Sequence, residues 1–128
     1  MRRGSTRPGA QAAETPRLMA HSHRLFRLEE RFERDGSVRL MLIGELDVAA
    51  IDHLSTRLRE LRKGGYAIRL DLSELQFVDS SGIEEILREV SDARRDGWRL
   101  AVDGPMTDQV ARTVDLVGAR AFLWPQEG

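Results

Sequence analysis

Asp79-Ser80-Ser81-Gly82-Ile83 gathers a carboxylate, two hydroxyls and a glycine at one joint of the chain. The apolar pair Phe77-Val78 precedes it and an amphipathic stretch follows. Two uses fit such a cluster. Ser and Asp cap helices, because their side-chain oxygens accept hydrogen bonds from the first free N–H groups, and Ser81 with Glu84 has the capping-box spacing. A hydroxyl at a helix N-terminus is also a favourable place for a phosphate. The free N–H groups and the helix dipole attract the nearly doubly charged anion that phosphorylation creates. The local residues leave both uses open.

Hydrolytic chemistry at these serines would need a base to activate the nucleophile. The three histidines are His21, His23 and His53. The first two sit in or beside a polar N-terminal stretch, and the third lies on a helical pattern with its side chain expected in solvent. No Gly-x-Ser-x-Gly elbow and no phosphate-cradling P-loop occurs. The His21-x-His23 spacing is a weak metal signal in a segment with no hydrophobic period. Catalysis by this chain is not expected, and neither a metal nor another cofactor is assigned to it.

The elements that must position the cluster are legible from periodicity. Leu25–Phe32 and Val38–Ile43 flank Arg34-Asp35-Gly36-Ser37, and Asp-Gly between apolar runs predicts a β-hairpin. In the second strand Val38, Leu40 and Leu42 alternate with Arg39, Met41 and Ile43. Gly44-Glu45-Leu46-Asp47 closes that strand with Asp47 as a natural N-cap. Ile51, Leu54, Leu58 and Leu61 then follow at helical spacing, stopped by Gly64-Gly65. Tyr66–Leu72 reads as a strand and the residues up to Val78 as its continuation into a loop. Ile83, Ile86, Leu87, Val90 and Ala93 predict a second helix, and Trp98–Val102 a short strand. Pro105 suits a first helical position, before Met106, Val110, Val114 and Val117. Phe122-Leu123-Trp124 reads as a last strand. The expected fold is α/β, a single domain with a mixed sheet: an initial β-hairpin, then alternating helices and strands in the order β-β-α-β-α-β-α-β. In such sheets the loops at the carboxyl ends of strands hold the functional residues. Asp47 and Ser80 both fall there and are expected to be neighbours.

Composition sets the outer bounds. The chain has 128 residues and no cysteine, enough for one core and without thiolate or disulfide chemistry. No apolar run approaches the roughly 20 residues of a membrane span. Residues 1–22, rich in Ala, Pro, Gly, Ser, Thr and Arg, are expected to be a disordered tail, with the folded domain over residues 23–128. Arg2, Arg3, Arg7 and Arg17 against Glu14 give the tail a net charge of +3, so the remainder carries −4 of the overall −1. An acidic domain is a poor partner for nucleic acid. A cytoplasmic protein without membrane insertion or direct nucleic-acid contact is expected.

The arrangement resembles a STAS domain, and within that group an anti-sigma factor antagonist. Gly44-Glu45-Leu46-Asp47 resembles the family's G-E-L-D segment, and Asp79-Ser80-Ser81-Gly82-Ile83 its D-S-[S/T]-G-[L/I] segment. Gly104-Pro105, Val110, Leu116 and Gly118 resemble the weaker C-terminal pattern. The resemblance covers roughly residues 25–124. It implies that Ser80 is the phosphoacceptor, and that an anti-sigma factor with serine kinase activity phosphorylates it using ATP and Mg²⁺ bound by that partner. The unphosphorylated antagonist would hold the kinase, the phosphorylated form would release it, and a serine phosphatase would reset the switch. Asp47, Asp79, Ser81, Gly82, Ile83 and Glu84 would support the phosphosite and dock the partner. Glu84-Glu85 departs from the small or basic residues that many members carry there. Those carboxylates favour an alternative: an accessory STAS subunit of a membrane lipid-transport ATPase complex, or a signalling scaffold, with Ser80 as a helix cap.

Overall fold

The computed structural model describes residues 25–125. The tail expected over residues 1–22 and the His21-x-His23 pair lie outside the described residues. Strands β1 (Phe26–Phe32) and β2 (Val38–Leu46) form the expected antiparallel hairpin, in register from Phe26↔Gly44 to Phe32↔Val38. Its turn is fixed by Asp35, whose Oδ1 accepts from the N–H of Ser37 at 3.0 Å and from its hydroxyl at 2.6 Å. Those bonds hold the Asp35 carboxyl below its usual range. Gly36 takes the left-handed conformation that the turn demands, at φ 87°.

The nine residues of β2 serve several neighbours. Its first half pairs in parallel with β3 (Ile68–Asp71), from Val38↔Ile68 to Met41↔Asp71. Its second half pairs in parallel with β4 (Leu75–Val78), Gly44 facing Leu75 and Leu46 facing Val78, with a register slip between Gly44 and Glu45. Gly44 sits at φ 97°, packed against the Leu25 carbonyl, where no Cβ fits. Strand β5 (Leu100–Asp103) pairs in parallel with β3, which makes the order β1-β2-β3-β5 with β4 continuing beside β2. The segment expected to be a strand running into a loop is thus two short strands. Asp71 breaks the run: its Oδ1 accepts from the N–H of Ser73 at 2.9 Å and from its hydroxyl at 2.7 Å.

A 3-10 turn over Val48–Ala50 leads into α1 (Ile51–Lys63), followed in chain order by α2 (Ser80–Asp96), α3 (Asp108–Leu116) and α4 (Arg120–Leu123). Of the helical stripes predicted from spacing, Leu54, Leu58 and Leu61 on α1, Ile83, Ile86, Val90 and Ala93 on α2, and Val110 and Val114 on α3 are buried. Ile51 and Leu87 are half-buried, Met106 precedes α3, and Val117 lies just past its end and is exposed. All of the buried ones but Ala93 join Val38, Leu40, Leu42, Ile68 and Leu70 of the sheet in one core. Arg39, on the opposite face of β2, pairs with Glu33 at 3.3 Å, Asp71 at 3.1 Å and Asp103 at 3.4 Å.

Two expectations at the C-terminal end are corrected. Pro105 does not open the third helix; α3 starts at Asp108 with Thr107 as its N-cap, the Thr107 hydroxyl accepting from the Val110 N–H at 3.4 Å. Phe122-Leu123-Trp124 is not a strand. The N–H groups of Phe122 and Leu123 donate to the Ala119 carbonyl at 3.1 and 3.0 Å and that of Trp124 to Arg120 at 2.9 Å, which closes the short helix α4. A three-residue apolar run has no period that separates the two conformations.

On α2 the stripe is interrupted by carboxylates. Glu85 is 3% exposed and ion-paired with Arg88, and Glu89 follows one turn later, half-buried. Burial, the neighbouring Glu85 and Asp92 push the Glu89 carboxyl up to about 8, opposed only weakly by Arg59 of α1. In the unfolded chain Glu89 ionises near its ordinary 4.5. The folded state therefore binds the proton more tightly. The resulting stabilisation is complete below about pH 4.5 and is lost as pH rises through about 8. Urea denaturation of wild type and Glu89→Gln over that range is expected to show stability falling with pH in wild type and a flatter profile in the variant.

Candidate functional site

The sequence cluster is assembled where β2 and β4 end side by side. Leu46 faces Val78 in register, so Asp47 and Asp79 leave the sheet next to each other. The Asp79 N–H continues the ladder by donating to the Leu46 carbonyl at 3.3 Å. Helix α2 starts immediately afterwards and closer to β2 than any side chain would allow. A Cβ on Gly82 would stand 2.7 Å from the Leu46 carbonyl oxygen and 2.7 Å from Val78 Cγ2. Glycine at this position is a requirement of the close approach.

Asp79 is the N-cap of α2. Its backbone is extended, φ −100° and ψ −178°, and its Oδ1 accepts from the Gly82 N–H at 2.9 Å. Ser81 and Glu84 do not form a capping box, because the helix already starts at Ser80 and Gly82 occupies the capped position. Asp47 does not cap α1 directly. It caps the 3-10 turn before it, its Oδ1 accepting from the Ala49 N–H at 3.0 Å.

With Asp79 acting as cap, the Ser80 hydroxyl is left over. Ser80 is exposed, and among the described residues its side chain makes no hydrogen bond. Nor does a carbonyl of the described residues accept from the backbone N–H of Ser80 or Ser81. The first intrahelical bond runs from the Ile83 N–H to the Asp79 carbonyl, at 3.1 Å. A solvent-facing hydroxyl beside two unclaimed helical N–H groups is a geometry that accepts an anion. The other expected site residues divide by depth. Asp47, Asp79 and Ser81 are half-buried and Glu84 is exposed, whereas Gly82 and Ile83 are buried. Ile83 has no accessible surface and anchors the first turn of α2 in the core. From Glu84 an open, mostly apolar groove of about 450 Å³ runs between α2 and the C-terminal helices, with Leu87, Val117 and Phe122 in its walls.

One residue at the site carried no signal in the sequence. Gln109 of α3 bonds both peptide groups of Val78, its Oε1 accepting from the N–H at 3.0 Å and its Nε2 donating to the carbonyl at 3.3 Å. A lone glutamine on a helix becomes informative only once β4 is known to lack a neighbouring strand there. His53 lies on α1 with its ring edge-on to Phe26 at 5.9 Å. Among the described residues no group of three or more His, Asp or Glu side chains is placed to hold a metal ion. Among them, too, no helix is long and apolar enough to cross a membrane.

The family profile described as "Mlab, STAS domain" matches residues 31–123. The crystal structure of an anti-sigma factor antagonist from Mycobacterium paratuberculosis superposes with a TM-score of 0.61 at 19% identity, covering 77% of this chain and 82% of that one. At this identity the likeness is one of fold. Part of a protein named Mglu superposes with a TM-score of 0.52 at 29% identity, over 59% of this chain and 19% of that one. No curated protein matches.

The division of labour between Asp79 and Ser80 is measurable. Asp79→Ala removes the cap and is expected to cost about 1 kcal/mol of stability. Ser80→Ala removes an unengaged, exposed hydroxyl and is expected to stay within about 0.5 kcal/mol of wild type. Urea titrations of the two variants check this, and the reverse order would make Ser80 the cap.

Proposed function

The chain belongs to the STAS domain family, and we propose that within it this protein is an anti-sigma factor antagonist that works by partner switching, with Ser80 as its phosphoacceptor. The observation that carries the reading is the Ser80 hydroxyl: exposed, free of capping duty, and beside the open N–H groups of Ser80 and Ser81. The unphosphorylated protein binds an anti-sigma factor that is a serine kinase. That partner holds ATP and Mg²⁺. The Ser80 oxygen attacks the γ-phosphorus, a new O–P bond forms as the bond to the leaving ADP breaks, and the hydroxyl proton is lost. The protein itself is substrate and ligand, with no catalytic step of its own, and acts in the cytoplasm.

Charge supplies the switch. Phosphorylation places nearly two negative charges among Asp47, Asp79 and Glu84. The two N–H groups hold the phosphate on its own helix, while the carboxylates around it make the surface repel the acidic nucleotide site it has just left. Release then needs no refolding. The groove that starts at Glu84 continues this surface along α2 and gives the kinase an apolar foothold beside Ser80. A serine phosphatase restores the binding form.

Glu84 favours a second reading. Exposed one turn after Ser80, it opposes an incoming phosphoryl group as well as a bound one. In that reading the same helix face docks constitutively, as in an accessory subunit of a membrane lipid-transport ATPase complex or a signalling scaffold. The helix cap then remains Asp79, not Ser80.

Affinity capture from host lysate with wild type, Ser80→Ala and Ser80→Asp as baits separates the two. Wild type and Ser80→Ala are expected to retain a small serine-kinase-like ATPase, and Ser80→Asp to lose it by tenfold or more, about 1.4 kcal/mol. Equal recovery of transport subunits by all three baits would replace the switch with constitutive docking. With the recovered kinase, Glu84→Gly is expected to raise the rate of Ser80 phosphorylation, and an unchanged rate would remove the opposition assigned to that carboxylate.

A further inference from the structure

Among the described residues, strand β4 has a neighbouring strand on one side only. Pairing with β2 leaves its other edge facing α3, and Val78 at its end is fully buried. Peptide groups in that position have neither a strand nor water to bond, and leaving them unpaired is strongly unfavourable. The Gln109 carboxamide answers both, at 3.0 Å to the N–H and 3.3 Å to the carbonyl. A primary amide carries the same donor and acceptor as a peptide, so one side chain of α3 stands in for a strand. Its orientation is set by Thr113. The Thr113 hydroxyl donates to the Gln109 backbone carbonyl at 3.1 Å, which leaves its oxygen to accept from Gln109 Nε2 at 3.1 Å. Thr107, two residues before Gln109, donates its hydroxyl to the Leu75 carbonyl at 3.2 Å. The first turn of α3 thus grips both ends of β4.

Val78 is the residue before the cap. Its peptide, together with the bond from the Asp79 N–H to the Leu46 carbonyl, fixes where Asp79 stands, and through Asp79 the first turn of α2. We infer that Gln109 is a positioning residue for Ser80: by holding Val78 it sets the place at which Asp79 caps α2 and the N–H groups of Ser80 and Ser81 meet a phosphate on Ser80. The inference rests on Ser80 as phosphoacceptor and adds α3 to the phosphosite, through a residue outside the Asp79–Ile83 motif.

The test uses the full chain and no kinase. Amide hydrogen exchange is recorded by NMR for wild type, Gln109→Ala and Gln109→Glu. The same three backgrounds, with phosphoserine incorporated at position 80 during translation, are titrated by ³¹P NMR. In Gln109→Ala the Val78 amide is expected to lose about tenfold or more of its protection while the central Leu40 and Leu70 amides keep theirs. The second ionisation of the phosphate, about pH 6 in free phosphoserine, is expected to move up relative to wild type, because the N–H groups no longer converge while Asp79 and Glu84 remain. In Gln109→Glu the ionised carboxylate faces the Val78 carbonyl. Protection at Val78 is therefore expected to be low at neutral pH and to return as the glutamate is protonated, a pH profile that a packing role would not produce. Gln109→Met, which keeps the volume, replaces the alanine variant if that does not fold. Unchanged Val78 protection overturns the inference, and so does a loosened Val78 with an unmoved phosphate titration. Absence of Ser80 phosphorylation in the host would overturn the switch while leaving these readouts standing, so the two failures are distinguishable.

Discussion

The hydrogen bond from the Asp79 N–H to the Leu46 carbonyl ties the end of β4 to the end of β2, and the rest of the site follows from it. It brings the start of α2 so near β2 that position 82 has no room for a side chain. It places Asp79 in the extended conformation from which a carboxylate can cap. Once Asp79 caps, Ser80 has no structural task and its hydroxyl points to solvent. The hydroxyl proposed as phosphoacceptor is thus a remainder: the polar group left over after the backbone at the joint has been satisfied.

The same economy explains why β2 is the longest strand. Two four-residue strands in succession share it, β3 along its first half and β4 along its second. The slip at Gly44–Glu45 lets the second pairing start afresh after the Ser73-Glu74 turn. Because β3 and β4 are both parallel to β2, β4 delivers its carboxyl end beside that of β2. The hairpin at Asp35-Gly36 is then as far along β2 from the serine as the strand allows. Charges are disposed accordingly. Arg39 bridges Glu33, Asp71 and Asp103 on the open sheet face, and Asp47, Asp79 and Glu84 lie at the end that carries the serine.

Much of this was legible in the sequence because it rests on local rules. Asp35-Gly36 specifies a hairpin, and Leu54, Leu58 and Leu61 specify a helix face, whatever surrounds them. The motif at Asp79–Ile83 was legible as a strand-to-helix joint and a candidate site, but its internal roles were not. Three adjacent residues can cap a helix, and the choice among Asp79, Ser80 and Ser81 is made by the approach of Leu46, which lies far away in sequence. Strand β4 was hidden because Gln76 and Phe77 face outwards and only Leu75 and Val78 are buried, too few for a period. The helical turn at Arg120–Leu123 was hidden for the same reason. Gln109 was invisible because its role depends on an edge that exists only in the folded sheet.

Strand β5 ends the sheet on its far side, and a bare sheet edge is a template on which a second chain can add itself. The Trp124 indole donates its N–H to the Val102 carbonyl at 2.8 Å, with Leu123 buried beside it. A bulky ring therefore occupies the line along which a foreign strand would have to zip. At the opposite margin β1 shows Arg27, Glu29 and Arg31 to solvent. Such guards leave the backbone unattractive to promiscuous pairing. At the β5 margin the Trp124 ring covers the Val102 carbonyl, one of the groups through which another strand would attach.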